Sequence, residues 1–419
     1  MNVIKAARAT KTRRTAKAPS PTEDVVAQQY QRWQYPEPIP DLGAWLVDNW
    51  QWFDPSHAHR LLWPDRPYRP DLDILVAGCG TNQAAVLAYT NPDARVTAVD
   101  VSEPSLEHHR YLKRKHDLDN LDVRMLPIEE LPSLSKDFDL VMSTGVLHHL
   151  ADPTAGMTAL AQCLRPDGVL AVMLYATYGR FGVELLQGIF RELGLQQDLA
   201  SLQMVKAAIA TLPRNHPVRS YMTVAPDLNT DAGVVDTFLH GRDRSYTVPQ
   251  CLELVSDSGL VFQDWLLRTT YYPTGTDEFH RAIDALPDPQ MWAVMERINT
   301  SNACHFFTAC HPQRPPSSYR IDFSSEQAPD YIPLMRYRCG LNGTQVFRPG
   351  FQMSLEPMQL AFLQRVDTLR TIREIAEHVA GSGIVADPNT AELIDYGRNL
   401  FRRLWRQDFI TVDLSRTTS

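Results

Sequence analysis

Short apolar runs alternate with amphipathic stretches along much of this chain. Asp73-Ile-Leu-Val-Ala77, Arg95-Val-Thr-Ala-Val-Asp100 and Phe138-Asp-Leu-Val-Met-Ser-Thr144 read as strands, as does Gly168-Val-Leu-Ala-Val-Met-Leu174. Helical patterns separate them, which predicts a parallel sheet wound on both faces over residues 71–312. Its last strands are expected at Leu260-Val-Phe-Gln-Asp-Trp-Leu266 and Cys304–Cys310, on either side of a helix around 277–298. Residues 175–248 interrupt the alternation. About seventy residues exceed any ordinary connecting loop, so this insertion must carry its own helices. Val183, Leu186, Ile189, Phe190 and Leu193 fit one helix over 182–212.

The flanks read differently. Residues 23–70 form a helical, aromatic lead-in with Trp33, Tyr35, Trp45, Trp50 and Trp52. Those rings are placed either to close over a ligand as a lid or to pack a helix against the sheet. Residues 313–330 are rich in Pro and Ser and read as a linker. Residues 331–419 form a small α+β domain. Thr371-Ile-Arg-Glu374 opens one helix with a capping box, 389–407 is a second, and Phe409-Ile-Thr-Val412 is a closing strand.

The first strand runs into Gly78-Cys-Gly80, and the second ends in Asp100 about twenty residues later, the layout of a nucleotide-cofactor site. Glycines let backbone approach a ligand, a helix N-terminus follows, and the carboxylate accepts from ribose hydroxyls. Gln83 stands where a dinucleotide fingerprint wants a third small residue. A side chain there crowds the helix N-terminus that a pyrophosphate needs.

The loop resembles the first motif of class I S-adenosylmethionine-dependent methyltransferases, with Asn82 where that family often has glycine. The resemblance continues in register. Val123-Arg-Met-Leu-Pro-Ile-Glu-Glu-Leu-Pro132 matches the adenine-contacting loop, and Phe138 through Leu150 the fourth strand and its loop. Cys163-Leu-Arg-Pro-Asp-Gly-Val-Leu-Ala-Val-Met-Leu174 matches the turn into the fifth strand. It implies a doubly wound, seven-stranded, mostly parallel α/β sheet with an antiparallel last strand, here with a helical insertion and the small α+β C-terminal domain. It also implies S-adenosylmethionine as cofactor, held by Ala77, Gly78, Cys79, Gly80, Asn82, Gln83, Asp100, Val101, Ile128, Glu129, Thr144 and Gly145. Pro127 replaces the family's common Asp, which leaves adenine to the backbone, Ile128 and Glu129. The C-terminal helices and closing strand resemble a winged-helix accessory module.

Composition narrows this picture. The chain has 419 residues, 44% hydrophobic and 21% charged, as in a globular protein with a large core. It contains no apolar run long enough to span a bilayer. Six scattered cysteines suit a reducing cytoplasm. Cys304-His305 and Cys310-His311 lie too far apart along one strand to share an ion, so no metal is expected. Net charge is −8, yet residues 1–19 carry Lys5, Arg8, Lys11, Arg13, Arg14 and Lys17 without an acid. Residues 1–22 therefore read as a disordered basic tail: a solvated arm, a nucleic-acid arm or a targeting peptide, without the apolar core of a secretory signal. Residues 313–419 hold 13 Arg and 12 Asp or Glu, which is no polyanion footprint, so a dimer or protein contact fits that region better.

For chemistry, His148 and His149 stand in the fourth-strand loop, where ligands of open α/β sheets bind, and are candidate bases. The insertion adds Asp231, Asp236, His240, Asp243, Arg244 and Tyr246, of which Asp231, His240 and Tyr246 join the catalytic candidates. Acids with His and Tyr suit an amine, guanidine or imidazole acceptor; Arg244 suits a carboxylate. The expected function is methyl transfer to a small molecule or a peptide side chain. The alternatives are an RNA methyltransferase and a non-catalytic subunit of the same fold.

Overall fold

The computed structural model describes residues 24–417; the basic tail expected over 1–22 lies outside them. Seven strands form one sheet: β1 Asp73–Ala77, β2 Arg95–Asp100, β3 Leu121–Met125, β4 Phe138–Thr144, β5 Leu164–Tyr175, β6 Val261–Trp265 and β7 Cys304–Cys310. Their order is β3-β2-β1-β4-β5-β7-β6. β7 runs antiparallel to both neighbours, and the other pairings are parallel. Every residue of β1 is buried, as a central strand covered on both faces requires. The doubly wound sheet with its reversed last strand is as expected.

The two faces carry different cores. Phe53, Leu62 and Trp63 of the lead-in pack with Val86 and Leu106 on one side. On the other side a core built on Leu75, Val141 and Leu160 continues without interruption to Trp265, Trp405 and Phe409. The lead-in itself forms three short helices, Val25–Arg32, Leu42–Leu46 and Pro55–Leu62.

The insertion folds around its own core of Val183, Leu186, Phe190, Leu202, Val218 and Phe238. The single helix expected over 182–212 is two, Thr177–Glu192 and Leu199–Thr211, separated at Gly194 (φ 69°). Ile189 and Leu193 face out rather than in. The cause lies on the inner face. A Cβ on Gly179 would sit 1.9 Å from Asn302 O, and one on Gly182 2.1 Å from Val218 N. Backbone approach at these glycines fixes the helix rotation, and a pattern built on apolar residues alone misplaces it.

The C-terminal region contains β8 Ile332–Met335, β9 Gly340–Asn342, β10 Gln345–Arg348 and β11 Phe351–Ser354. Helices Pro357–Leu363, Ile372–Ala380 and Thr390–Arg406 follow, then β12 Ile410–Asp413, which pairs antiparallel with β8. The capping box is present: Thr371 Oγ1 accepts from Glu374 N at 3.2 Å, and Thr371 N donates to Glu374 Oε2 at 2.8 Å. A three-stranded meander precedes the helices, and a single strand, β12, follows them. Of the arginines in 400–406, Arg402 and Arg406 both reach Asp284, at 3.2 and 2.5 Å.

Asp408 welds this region to the sheet. Its carboxylate accepts from the N–H groups of Arg268 and Thr269, both at 3.0 Å. Thr269 Oγ1 at 2.7 Å and Arg336 Nη1 at 2.5 Å complete the set. Arg268 is buried, paired with Asp264 and lying 4.4 Å from the Trp405 ring. Removing one member of a buried charge cluster leaves the others uncompensated. Asp408→Ala is accordingly expected to cost about 3–5 kcal/mol in guanidinium unfolding, with one cooperative transition for residues 71–417. A separate early transition of the C-terminal region would contradict the shared core.

Candidate active site

The loop after β1 turns on two left-handed glycines, Gly78 (φ 72°) and Gly80 (φ 54°). Gly78 N and Cys79 N both donate to Val99 O, at 2.8 and 3.0 Å, which ties the loop to the end of β2. A Cβ on Gly78 would lie 2.4 Å from Val146 Cγ2, and one on Gly80 3.0 Å from Pro36 Cδ. Asp100 accepts from Gly80 N and Ser102 N, each at 2.9 Å. Burial raises its carboxyl above the ordinary range, against the pull of those N–H donors. With these N–H groups already given to Val99 O and Asp100, the loop suits an uncharged ribose better than a polyphosphate.

The residues that depart from the glycine pattern have other work. Asn82 does not cap its helix; its amide donates to Glu37 O at 2.8 Å and its carbonyl accepts from Ile39 N at 2.8 Å. Thr81 Oγ1 donates to Pro36 O at 2.7 Å. Gln83 Oε1 accepts from Thr144 Oγ1 at 2.9 Å, linking the loop to the end of β4. The lead-in is thus strapped over the loop through side chains that a glycine could not supply. Among the other cofactor candidates, Gly145 is left-handed (φ 75°), Val101 is half-buried, and Glu129 is exposed. Ile128 is buried, its side chain in the core beside Gly156.

Beyond β4 and β5 the chain buries a polar cluster. His149 and His240 stack at 3.8 Å, and His148 stacks on Tyr175 at 3.9 Å. Asp236 accepts from Tyr30 OH at 2.8 Å, Gln29 Nε2 at 3.2 Å and Tyr175 OH at 3.4 Å. Burial drives its carboxyl up to about 7, against the hydrogen bond from Tyr30. Its neighbour Asp243 is paired with Arg180, which is itself buried at 2.8 Å from the carboxylate and 3.6 Å over the Tyr175 ring. Burial keeps all three imidazoles neutral, with His149 lowered to about 4.

Arg242 fixes which nitrogen carries each proton. His149 Nδ1 lies 2.9 Å from Arg242 O and must donate, so its Nε2 holds a lone pair. His240 Nδ1 accepts from Arg242 N at 3.0 Å, so its Nε2 carries hydrogen. Nitrogen and oxygen atoms of His149, Asp236 and His240 lie within 4.8 Å of one another, as metal ligands do. The two imidazole rings are near parallel (18°).

The structure therefore unites His148, His149 and His240, and separates them from two other catalytic candidates. Asp231 is exposed at the start of helix Asp231–Phe238 and ion-paired with Lys206. Tyr246 packs in the sheet core, with its carbonyl accepting from Thr177 N. Arg244 is exposed. His305 in β7 uses both ring nitrogens internally, on Tyr271 OH and Tyr246 O. The sequence reading did not single out Tyr30, Tyr175, Arg180 or Arg242. Asp236 and Arg180 did carry a signal: each is a charge set within an otherwise buried helix face.

The fold and this loop define a Rossmann-like domain that holds a nucleoside cofactor. Residues 75–172 match the family described as Methyltransferase domain. An uncharacterised protein of Synechococcus sp. is 27% identical over 84% of this chain and 87% of its own length. Malonyl-[acyl-carrier protein] O-methyltransferase of Acetivibrio thermocellus is 36% identical, over 26% of this chain and 36% of its own. Trans-aconitate 2-methyltransferase of Deinococcus radiodurans is 33% identical, over 36% and 56%. These two alignments span well under two thirds of either named relative. Among solved structures, PKMT2 from Rickettsia typhi superposes with a TM-score of 0.62 over 87% of this chain and 76% of its own, at 15% identity. Residues 75–172 are thus a methyltransferase domain of the class I S-adenosylmethionine-dependent type, and S-adenosylmethionine is the cofactor of that domain.

Two outcomes follow. Gly78→Ala places a methyl against Val146 in a left-handed backbone, so S-adenosylhomocysteine binding by calorimetry should weaken about tenfold or more. Asp236 has a raised folded-state pKa, so its stabilising contribution is full below about pH 4 and is lost as pH rises to about 7. Asp236→Asn should therefore gain thermal stability relative to wild type through that window, by a few kcal/mol, and level off above it. A difference independent of pH would show that Asp236 is not titrating there.

Proposed function

We propose that the protein methylates a nitrogen of an amine-type group, on a small molecule or a peptide side chain, held between the sheet and the 175–248 insertion. One observation carries this reading. Asp236 is buried with only neutral donors around it, and no cationic side chain comes within ion-pair distance among the described residues. A buried carboxylate without a counter-charge is costly, and a protonated amine is the ligand that relieves it. Asp243 gives no such opening because Arg180 already neutralises it.

On this reading Ala77, Gly78, Cys79, Gly80, Asn82, Gln83, Asp100, Val101, Glu129, Thr144 and Gly145 hold the cofactor. Ile128 supports the adenine loop from beneath. S-adenosylmethionine supplies an electrophilic methyl group on a sulfonium. The residues of this chain orient the nitrogen and take its proton. Asp236 first pairs with the ammonium. Proton transfer within that pair, from the nitrogen to the carboxylate, frees the lone pair for in-line attack. His149 Nε2, fixed as an acceptor, is the second proton station. Tyr30 spans the two halves of the site: its carbonyl accepts from Ser102 Oγ at 3.3 Å beside the loop, and its hydroxyl reaches Asp236. The lead-in thereby acts as the lid that excludes water.

Carboxyl or hydroxyl acceptors, which the names of the two methyltransferase relatives bring to mind, fit this cluster poorly. Its free charge is negative, and its one guanidinium is already paired. Isotopically labelled S-adenosylmethionine, offered with matched primary amines, carboxylic acids and alcohols, distinguishes the classes by mass spectrometry. Amines should be labelled, and Asp236→Asn should lower kcat/KM about 10²–10⁴-fold while leaving S-adenosylhomocysteine affinity within about twofold. Labelling of the acids or alcohols in preference to amines would overturn the assignment.

A further inference from the structure

The cluster beyond β4 and β5 contains two groups that the proposed methyl transfer does not use. His148 is fully buried, and neither of its ring nitrogens has a hydrogen-bond partner among the described residues. Asp243 Oδ1 is likewise out of solvent without a partner, although Oδ2 accepts from Arg180 at 2.8 Å and from Gln187 at 2.9 Å. Buried polar atoms are nearly always satisfied, so two such groups in one cluster mark a place for a ligand. Ligand-type atoms of His148, His149 and Asp243 all lie within 4.8 Å of one another.

We propose that these three side chains form a binding site for a divalent cation of the zinc class. Two imidazole nitrogens and one carboxylate oxygen are donors that zinc and cobalt take, whereas magnesium and calcium favour oxygen alone. Two ligands of a tetrahedral zinc stand about 3.4 Å apart, so side-chain movements of under about 1 Å close the set. His149 Nδ1 is 3.8 Å from Asp243 Oδ1 and 2.9 Å from Arg242 O, which puts that carbonyl in place as a fourth ligand. Burial holds both imidazoles neutral, so each ring keeps a lone pair for a metal. A ligating carboxylate is ordinarily fixed by hydrogen bonds from behind, as Arg180 and Gln187 fix Asp243. The guanidinium opposes a second cation, and the nearby negative charge of Asp236 offsets it. The other trio with ligand spacing, His149, Asp236 and His240, is the poorer site. Asp236 already accepts from three donors, and His240 Nδ1 accepts from Arg242 N.

Occupancy has a consequence that rests on the role given to His149 under the proposed function; the binding itself does not. Zinc on Nδ1 takes the place of the proton there, and that proton moves to Nε2, so the ring stays neutral. The acceptor lone pair at Nε2 is lost, and zinc therefore inhibits methyl transfer without touching the glycine loop.

Competition calorimetry of the metal-free full chain with Zn²⁺, joined to the visible absorption of added Co²⁺, tests the site. Wild type should bind a single Zn²⁺ per chain, and Co²⁺ should show the strong d–d bands of four-coordination. H148A should weaken Zn²⁺ binding at least about tenfold and lose those bands, with S-adenosylhomocysteine affinity within about twofold. His148→Asn repeats the comparison if the alanine variant misfolds, and H240A should bind Zn²⁺ as wild type does. A wild type that binds no Zn²⁺ at about 100 µM, or His148 variants that bind it equally well, would overturn the site. So would loss of binding in H240A alone. Zn²⁺ that binds through His148 yet leaves transfer of labelled methyl to amines unchanged would overturn the inhibition. Failure to label any amine would count against the amine reading and leave the binding result to decide the site.

Discussion

Two carboxylates, Asp236 and Asp243, stand out of water beyond the ends of β4 and β5, and the guanidinium of Arg180 pairs with Asp243 alone. The arrangement around them follows from that imbalance. Arg180 reaches Asp243 only because Gly179 and Gly182 let its helix press against residues 302–303 and 217–218. Tyr175, at the end of β5, lies under the same guanidinium and offers its hydroxyl to Asp236. Gln29 and Tyr30 come from the far N-terminal side to supply the remaining donors. Neutral hydrogen bonds lower the cost of a buried charge without cancelling it, and Asp236 has no ion-pair partner among the described residues.

Arg242 connects this electrostatic problem to the geometry of the lid. Its guanidinium binds both oxygens of Asp24, at 2.7 and 2.6 Å, and donates to His149 O at 2.7 Å. Asp24 in turn caps helix Val25–Arg32 by accepting from Val26 N. The backbone of the same arginine sets opposite tautomers in His149 and His240. One residue therefore fastens the lead-in helix, anchors the β4 loop and decides which imidazole nitrogen is free to accept. At the other end of the strap, Asn82 clasps residues 37–39 over the glycine loop. The two halves of the site are thus closed by one segment of chain, with Tyr30 between the clasps.

Much of the sheet was legible because both periodicity and glycine placement are local signals. β7 coincides with the run from Cys304 to Cys310, and the Gly78–Gly80 turn with Asp100 follows from spacing alone. The insertion was legible in its existence but not in its rotation. Apolar periodicity chose Ile189 and Leu193 for the buried face, whereas close backbone contacts at Gly179 and Gly182 decided otherwise. The acid-rich stretch drew notice, yet Asp231 sits in a solvated ion pair and Asp236, five residues later, in the buried cluster. Local sequence treats them alike; only packing against residues 29, 30 and 175 tells them apart. The C-terminal region misled for a related reason. Its Pro- and Ser-rich approach reads as a linker, while Phe323, Tyr331 and Trp405 join the core beside Trp265. Aromatic packing over long sequence separation leaves no local mark.

The central claim is that Asp236 is a buried acid awaiting an ammonium partner. Carbon-13 NMR of the protein labelled at aspartate carboxyls, titrated with S-adenosylhomocysteine bound and assigned by comparison with Asp236→Asn, tests it most directly. The resonance should titrate near pH 7 alone and move well below that when n-butylammonium saturates the site. An ordinary titration near pH 4 in the free protein, or one that n-butylammonium leaves unchanged, would contradict the account.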